Sequence, residues 1–334
     1  MIQKNPRWPI FLIVVMVVIS CEQLSEITTI SPSKNPVIPT ISTSTPKATM
    51  TPSRIPVASI TPKSVPALPF DEAQKQLLDL LNTNGDCDLP CLWGITPGLS
   101  NQQDARNILM PLSSISPQDK TYFDSTALNG VLFGTISPLH FDEKYRFNSL
   151  VVYRYSDNGI IHRISFRAME EQILTDSNGN LTGIMPIYDS SAFIKRTEYY
   201  SLHHLLSEQG MPESVAIYTS GNSHRGGSIK IDIAVFYPNQ GIWAQYETYV
   251  NEFDVEDVIK ICPLHTHVEM ELYPPGDPDS FYSHLDQTNW RYIKGGAKPL
   301  EEAASMSIEE FYQTFRDPTD QCFETPVDIW PPPS

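Results

Sequence analysis

The sequence predicts an α+β fold, in which helices pack against antiparallel sheet, and three observations support this class. Apolar residues recur three and four positions apart over residues 70–81, as in an amphipathic helix. The spacing then changes to strand-like runs on both sides of Ser156-Asp157-Asn158-Gly159, a hairpin signal whose glycine suits a positive φ. After residue 200 the order of helix and hairpin repeats.

Three more helices are predicted from their end residues. A short helix follows Gly98-Leu99-Ser100, and Ser201 can cap a helix that ends at Gly210. Residues 307–315 form another, with Ser307 as the cap and two glutamates in the first turn, where the helix dipole favours negative charge.

Two hairpins supply the predicted sheet. The first has arms 147–155 and 160–168; the second has arms 229–237 and 242–249 around Pro238-Asn239-Gln240-Gly241. Three further segments are expected to be helices or short strands: residues 255–261, 268–273 and 280–285.

The order of elements suggests a duplication. Residues 70–190 form a first helix-then-sheet unit, and residues 191–334 form a second that ends with a helix. Met211-Pro212-Glu213-Ser214-Val215 in the second unit echoes Met110-Pro111-Leu112-Ser113 in the first.

The first 20 residues have the plan of a signal peptide. Lys4 and Arg7 precede an apolar run over residues 10–19, which is too short for a transmembrane helix. The run ends at Val18-Ile19-Ser20-Cys21, which resembles the lipobox of bacterial lipoproteins. The resemblance implies cleavage between Ser20 and Cys21, and attachment to the lipid bilayer through acyl chains, such as palmitate, on Cys21.

Residues 21–69 are predicted to be a disordered linker after the lipidated cysteine. Thr, Ser and Pro dominate, with pairs such as Thr45-Pro46, Thr51-Pro52 and Thr61-Pro62. Proline lacks the amide hydrogen that a ladder needs, so the segment should be extended. A wall-crossing spacer, a glycosylated stalk and a plain linker all fit this composition.

The charge of the chain excludes one class of partner. The formal net charge is -16, and the segment before residue 70 is basic, which leaves about -20 for the remainder. Such a surface repels phosphate backbones, so the sequence predicts no nucleic-acid binding.

Four cysteines remain after Cys21, an even number in a chain expected to be exported. They are Cys87, Cys91, Cys262 and Cys322. Two disulfides are therefore predicted, with three possible connectivities. We favour Cys87 with Cys91 and Cys262 with Cys322; a four-cysteine zinc site is the alternative.

Two segments resemble envelope lipoprotein domains. Trp93-Gly94-Ile95-Thr96-Pro97-Gly98-Leu99-Ser100 before a helix, and Gln209-Gly210-Met211-Pro212 before a strand, resemble the BamE type, which shares the β-lactamase-inhibitor-protein-like fold. Leu109-Met110-Pro111 lacks the glycine of that pattern. The stretch from Cys87 to Gly98 is also similar to uncharacterised lipoproteins with a Cys-x-Leu-Pro-Cys-x-Trp-Gly-Ile motif. The resemblance implies a tandem, non-enzymatic module that contacts protein.

Two groups of residues could bind a metal. His265 and His267 lie two apart in a predicted strand, with Glu269 on the same face, although a solvated strand face has the same pattern. Asp176, Asn178 and Asn180 imitate the start of an EF-hand loop, but Leu181 and Ile187 stand where glycine and glutamate belong. A hairpin turn is favoured there, and no metal site is predicted.

Other candidates have simpler explanations. Ser and His are adjacent within residues 221–228, but no Gly-x-Ser-x-Gly elbow accompanies them, and a hairpin loop is favoured over a hydrolase site. His203 and His204 are expected at the surface. Trp93, Trp243 and Trp290 could line a sugar or peptide cleft, but core packing is favoured.

These patterns predict a membrane-anchored extracytoplasmic lipoprotein that binds a protein or another envelope component. No cofactor and no catalytic residue is predicted. The alternatives are a solute- or carbohydrate-binding module and a secreted hydrolase. A deep pocket lined by convergent carboxylates or by the histidines would favour the alternatives.

Overall fold

The structure, a computed structural model, describes most of the chain after residue 64. The described residues are 65–115, 131–140, 145–156, 158–186, 191–220, 228–251, 257–263, 267–285, 296–318 and 321–330. The predicted signal peptide, Cys21 and most of the predicted linker lie outside them. The described part combines helices with a largely antiparallel sheet, which confirms the α+β class.

The helices follow the sequence patterns closely. They are α1 (Phe70–Thr83), α2 (Gln102–Leu112), α3 (Ser191–Arg196), α4 (Leu202–Gln209), α5 (Pro278–Leu285), α6 (Leu300–Ala304) and α7 (Ile308–Phe315). The predicted cap Ser201 accepts a hydrogen bond from the backbone N–H of His204 at 3.3 Å. Ser307 and Glu310 form a capping box at the start of α7. All four helices predicted from end signals or amphipathic spacing are present.

The strands include both predicted hairpins. They are β1 (Val131–His140), β2 (Tyr145–Tyr155), β3 (Ile161–Thr175), β4 (Leu181–Pro186), β5 (Ser214–Ser220), β6 (Ser228–Tyr237), β7 (Ile242–Asn251), β8 (Val258–Ile261), β9 (His267–Leu272), β10 (Lys298–Pro299) and β11 (Phe323–Pro326). Of the three undecided segments, two are strands, β8 and β9, and the third is the helix α5.

One large sheet runs through the described residues in the order β1-β2-β3-β9-β7-β6-β5-β10, and β4 pairs with β3 beside this path. Its strand pairs are antiparallel. The last long strand of the chain, β9, lies between β3 and β7. A separate two-stranded sheet pairs β8 with β11.

Both predicted units contribute to this sheet. β1 to β4 come from residues 70–190, and the other strands come from residues 191–334, with the β3–β9 pairing joining them. The described residues, all of which follow residue 64, belong to one compact unit. The boundary near residue 190 and the duplication stay predictions.

The first face of the sheet carries the main core. Strand residues alternate, so that one set of side chains faces the helices. Buried members from the sheet include Val151, Tyr153, Phe166, Ile233, Tyr246 and Met270, and those from the helices include Leu77, Leu81, Leu109, Leu205 and Phe311. Burial of this apolar surface is the main source of stability for the fold.

The second face of the sheet is apolar at one end and charged beyond it. At one end, α5 covers a smaller apolar cluster made of Ala234, Phe236, Trp243, Tyr273, Phe281 and Leu285. Beyond that cluster the same face carries charged side chains, described below. The two faces therefore have different chemistry, and the helix layer lies on the first.

Both favoured disulfides are present. Cys87 pairs with Cys91, with Cα atoms 5.9 Å apart, and Cys262 pairs with Cys322, with Cα atoms 4.2 Å apart. The second bridge spans 60 residues of sequence and joins the segments beside β8 and β11. All four cysteines predicted to pair are thus bonded in the favoured connectivity, which excludes the four-cysteine zinc site.

The cysteine motif is held by a buried amide. The Asn84 side chain is fully buried and donates to the backbone carbonyls of Cys87 at 2.6 Å and Cys91 at 2.8 Å. Its Oδ1 accepts from the backbone N–H of Trp93 at 3.1 Å. The loop from residue 87 to residue 93 is not part of a helix or strand, and hydrogen bonds from this one side chain satisfy several of its backbone groups.

Candidate functional site

The second face of the sheet carries a group of charged side chains on four adjacent strands. In β6, Lys230 and Asp232 alternate with buried isoleucines, so both point away from the main core. Strand register then places Asp232 opposite Glu247 of β7, and Glu247 opposite His267 of β9. With Arg167 of β3, these five residues form a group that we name the charged row: Lys230, Asp232, Glu247, His267 and Arg167.

Glu247 is the centre of the charged row. Its Oε2 lies 2.6 Å from the Lys230 ammonium and 3.0 Å from His267 Nδ1. Tyr249 also donates a hydrogen bond to this carboxylate. The Lys230 ammonium reaches Asp232 as well, at 3.4 Å, and Asp232 accepts from Gln245 at 2.9 Å. The buried carboxylates therefore have cationic or polar partners, as burial requires.

The tautomer of His267 follows from its partners. Arg167 Nε donates to His267 Nε2 at 2.8 Å, and an arginine has no acceptor. His267 Nε2 must then carry the lone pair, so Nδ1 carries the proton and donates to Glu247. A second proton on His267 would remove the acceptor that holds Arg167.

Burial and charge shift the pKa values of the two carboxyl groups in opposite directions. Burial raises the pKa of Asp232 to about 6, although Lys230 opposes the rise. Burial also acts to raise the pKa of Glu247, but the hydrogen bond from His267 and the ammonium of Lys230 outweigh it and hold the pKa below its ordinary range. The pKa of Lys230 is raised: burial alone would lower it, and the two carboxylates reverse that effect.

A second charged pair lies beside the charged row. Arg163 makes a two-pronged contact with Glu271, at 2.6 Å and 2.8 Å, and Ser165 donates to the same carboxylate at 2.8 Å. Burial still raises the pKa of Glu271 against the effect of Arg163. This pair joins β3 to β9 across the middle of the sheet.

Part of the charged surface is open to solvent. The side chains of Arg167 and Glu269, 3.9 Å apart, are 45% and 32% exposed, and that of Lys230 is 32% exposed. Asp232 and His267 behind them are buried. The arrangement presents fixed charges of both signs to whatever contacts this face, which favours orientation-specific recognition.

The predicted histidine pair is only partly described. His265 lies outside the described residues, and His267 and Glu269 share the second face as predicted. Both ring nitrogens of His267 already have hydrogen-bond partners within the chain. Within the described ranges, no group of three or more His, Cys, Asp or Glu side chains is placed to hold a metal ion.

The calcium-like segment is a hairpin turn between β3 and β4, as favoured from the sequence. Asp176 Oδ1 accepts from the backbone N–H groups of Asn178 at 2.8 Å and Asn180 at 2.9 Å. The Asn180 side chain donates to Oδ2 at 3.0 Å. These hydrogen bonds lower the pKa of Asp176, and they use its oxygens to hold the turn.

The tryptophans that are described lie in cores. Trp93 is 1% exposed, and Trp243 belongs to the apolar cluster under α5. Core packing is thus confirmed for both, and Trp290 lies outside the described residues. So do residues 221–227 of the Ser-His segment, while Ser228 begins β6.

His203 and His204, which were expected at the surface, are half-buried. His204 packs against the ring of Tyr199 at 4.5 Å, and His203 contacts the Ser201 hydroxyl at 3.0 Å. Both partners lie within five residues of the histidines, in the segment just before α4.

Apart from His267, the charged row was missed by the sequence reasoning. A signal exists: Lys230 and Asp232 stand between isoleucines in a strand that is otherwise apolar, and Glu247 stands in the matching arm of the hairpin. Charged residues at alternate positions of such strands must share one face. Their partners on β3 and β9 could not be found this way, because they depend on pairings between distant segments.

Comparison with protein-family models, with curated proteins and with solved structures finds no match. Across the described ranges, no helix is long and apolar enough to cross a membrane.

Proposed function

We propose that this chain is an extracytoplasmic lipoprotein, anchored to a membrane through acylated Cys21, whose body binds a protein partner in the cell envelope. The resemblance of Val18-Ile19-Ser20-Cys21 to a lipobox supports the anchor. The two disulfides support export, because such bonds persist in oxidising compartments.

The charged second face is the observation that carries the proposed binding role. The helix layer covers the first face, while Arg167, Glu269 and Lys230 remain partly exposed on the second. Fixed charges of both signs select a partner through matched charges and reject others through unmatched ones. The net charge of about -20 over residues 70–334 favours a partner with a neutral or basic surface.

Site-specific crosslinking tests this proposal. A photoreactive amino acid replaces Arg167, and in a matched control it replaces Glu301, an exposed residue of α6 in the helix layer. We expect irradiation of native membranes to give a protein adduct of one mass from position 167 and none of that mass from position 301.

The adduct should also depend on the charge of the face. Glu269→Lys reverses a charge beside position 167 and should abolish the adduct, with the melting temperature changed little because Glu269 is part-exposed. Identical adducts from both positions, no adduct at all, or an adduct that survives Glu269→Lys would overturn the proposed interface.

A further inference from the structure

Four polar side chains meet where β2, β3, the end of β9 and α5 come together. They are Arg154, His162, Tyr273 and His284, which we name the donor cluster. The ring of His284 stacks on that of Tyr273 with centroids 5.7 Å apart and planes 8° apart. The ring of His162 lies 6.0 Å from that of His284, and the Arg163 guanidinium lies 5.8 Å from the centre of the Tyr273 ring.

A β-bulge brings His162 to this position. Arg154 pairs with Arg163 and Tyr155 pairs with Ile161, so His162 is an extra residue with no partner on β2. A bulge redirects side chains relative to the regular alternation of a strand. Here it allows both His162 and the neighbouring Arg163 to face the second side of the sheet, where α5 and β9 supply their contacts.

Three atoms of the donor cluster are buried without a hydrogen-bond partner among the described residues. They are Arg154 Nε, His162 Nδ1 and the Tyr273 hydroxyl oxygen. Tyr273 is 1% exposed, so its hydroxyl is isolated from bulk solvent. Native proteins rarely leave such groups unsatisfied, and a concentration of them indicates a missing partner.

The chemistry of these atoms defines that partner. An arginine Nε–H only donates, a tyrosine hydroxyl can donate, and a histidine Nδ1 donates in one of its two neutral tautomers and when protonated. Arg154 also brings a positive charge that no described carboxylate pairs with, whereas Arg163 is already bonded to Glu271. A group that accepts hydrogen bonds and carries negative charge suits each of these positions.

We propose that the donor cluster is a binding site for a small oxyanion group, a phosphate, sulfate or carboxylate, either free or carried on a larger molecule. Arg154 supplies the charge, and Tyr273 and His162 supply directed hydrogen bonds. The donor cluster shares no residue with the charged row, so the proposed anion site does not depend on the proposed protein partner.

The occupancy of this site depends on pH. Burial, then His284, Arg154 and Arg163, lower the pKa of His162, and burial and Arg163 lower the pKa of His284. The charged and titratable groups around the two rings are Arg154 on β2, Arg163 on β3, Glu271 and Tyr273 at β9, and Asp277 before α5. An anion bound among them stabilises the protonated imidazoles, so binding takes up protons and strengthens as the pH falls.

Titration of the full chain with sulfate and with acetate tests the proposal, with the histidine ring signals followed by nuclear magnetic resonance. Both probes keep a constant charge from about pH 6 to about pH 8, so any change in affinity reports on the protein. We expect saturable shifts at His162 and His284, with binding stronger at the lower pH. A preference for sulfate indicates a phosphate-like group, and a preference for acetate indicates a carboxylate.

Variants separate the site from general salt effects. Arg154→Gln should weaken binding about tenfold or more, the loss expected for a charge-assisted hydrogen bond. Arg316→Gln, which removes an arginine that stacks on Tyr312 at the end of α7, should leave binding unchanged. His284→Gln is a second variant in case Arg154→Gln does not fold. Absence of saturable shifts with both probes, or unchanged binding in the folded variants of the cluster, would overturn the proposal.

Discussion

The indole N–H of Trp93 donates to the hydroxyl of Tyr200 at 2.9 Å, between residues separated by 107 positions in the chain. Tyr200 lies 3.0 Å from Asn84 Oδ1 and 3.2 Å from the carbonyl of Leu80, so its own proton has an acceptor as well. The contact connects the cysteine motif of the first predicted unit to the start of the second. It is buried, and its loss would leave polar atoms of both segments unsatisfied.

Tyr200→Phe should lower the free energy of unfolding by about 1–3 kcal/mol, because Trp93 Nε1 and Asn84 Oδ1 lose a partner inside the core. Tyr282→Phe is the matched control, since that exposed hydroxyl bonds Glu213 at the surface. Urea denaturation of both variants measures the difference. Equal effects of the two changes would contradict the role assigned to the buried contact.

Asp232 makes the stability of the fold depend on pH. Its pKa is about 6 in the folded protein and 3.8 ordinarily, so the folded state holds the proton more tightly. The stabilisation of the folded state by the tightly held Asp232 proton is fully present below about pH 4, and it is lost as the pH rises through 6. Relative to Asp232→Asn, the wild type should lose roughly 2–3 kcal/mol over that interval.

The measurement is the difference in unfolding free energy between wild type and Asp232→Asn at several pH values. Asp279→Asn, at an exposed position of α5, provides the control. A difference that stays constant from about pH 4 to about pH 7 would contradict the raised pKa.

Arg163→Met should destabilise the protein by about 3–5 kcal/mol, because Glu271 is then a buried carboxylate without its cation. The double variant Arg163→Met with Glu271→Met removes both charges and should recover most of that loss. Thermal unfolding of the two variants gives the comparison. If the double variant is no more stable than the single one, packing rather than charge determines the effect.

The two disulfides should differ in how much they stabilise the folded protein. The Cys262–Cys322 bridge closes a loop of 60 residues, and the chain-entropy model assigns it about 4 kcal/mol, against about 2 kcal/mol for the short Cys87–Cys91 loop. Paired Cys→Ala variants, compared by denaturant unfolding, test the order. A larger loss from the Cys87–Cys91 pair would show that native contacts of that motif outweigh loop entropy.

Cys21→Ser tests the proposed anchor. Without the thiol no thioether to lipid can form, so we expect the protein in the soluble fraction or retained with an uncut amino terminus. Cell fractionation with mass measurement of the amino-terminal peptide distinguishes these results from the wild type. Membrane retention of a normally cut Cys21→Ser chain would refute lipidation.

Local sequence patterns predicted many of the helices and strands, but they did not predict which distant segments pair. The helices α1, α2, α4 and α7 and the two predicted hairpins were found because caps, turns and apolar spacing depend on adjacent residues, whereas α3 and α6 were not predicted. β1 was missed, since Gly134 and Pro138 within it argue against a strand. The structure resolves this conflict at the sheet edge, where a register shift after Ile136 accommodates the proline.

The candidate site was harder to predict for the same reason. Half of the contacts in the charged row cross from β3 to β9 or from β9 to β7, and no turn signal specifies those neighbours. The donor cluster depends on a bulge and on the packing of α5, which periodicity does not reveal. The one available sequence signal was the presence of charged residues within otherwise apolar strands.

The position of β9 in the sheet also determines when its two neighbouring strands can pair. It is filled by residues 267–272, late in the chain, yet it lies between β3 and β7 in the sheet. The chain is synthesised from its amino terminus. The edges of β3 and β7 that pair with β9 therefore have no partner until about four-fifths of the protein has been made. A nascent chain halted before residue 267 would leave these two strand edges unpaired and open to self-association.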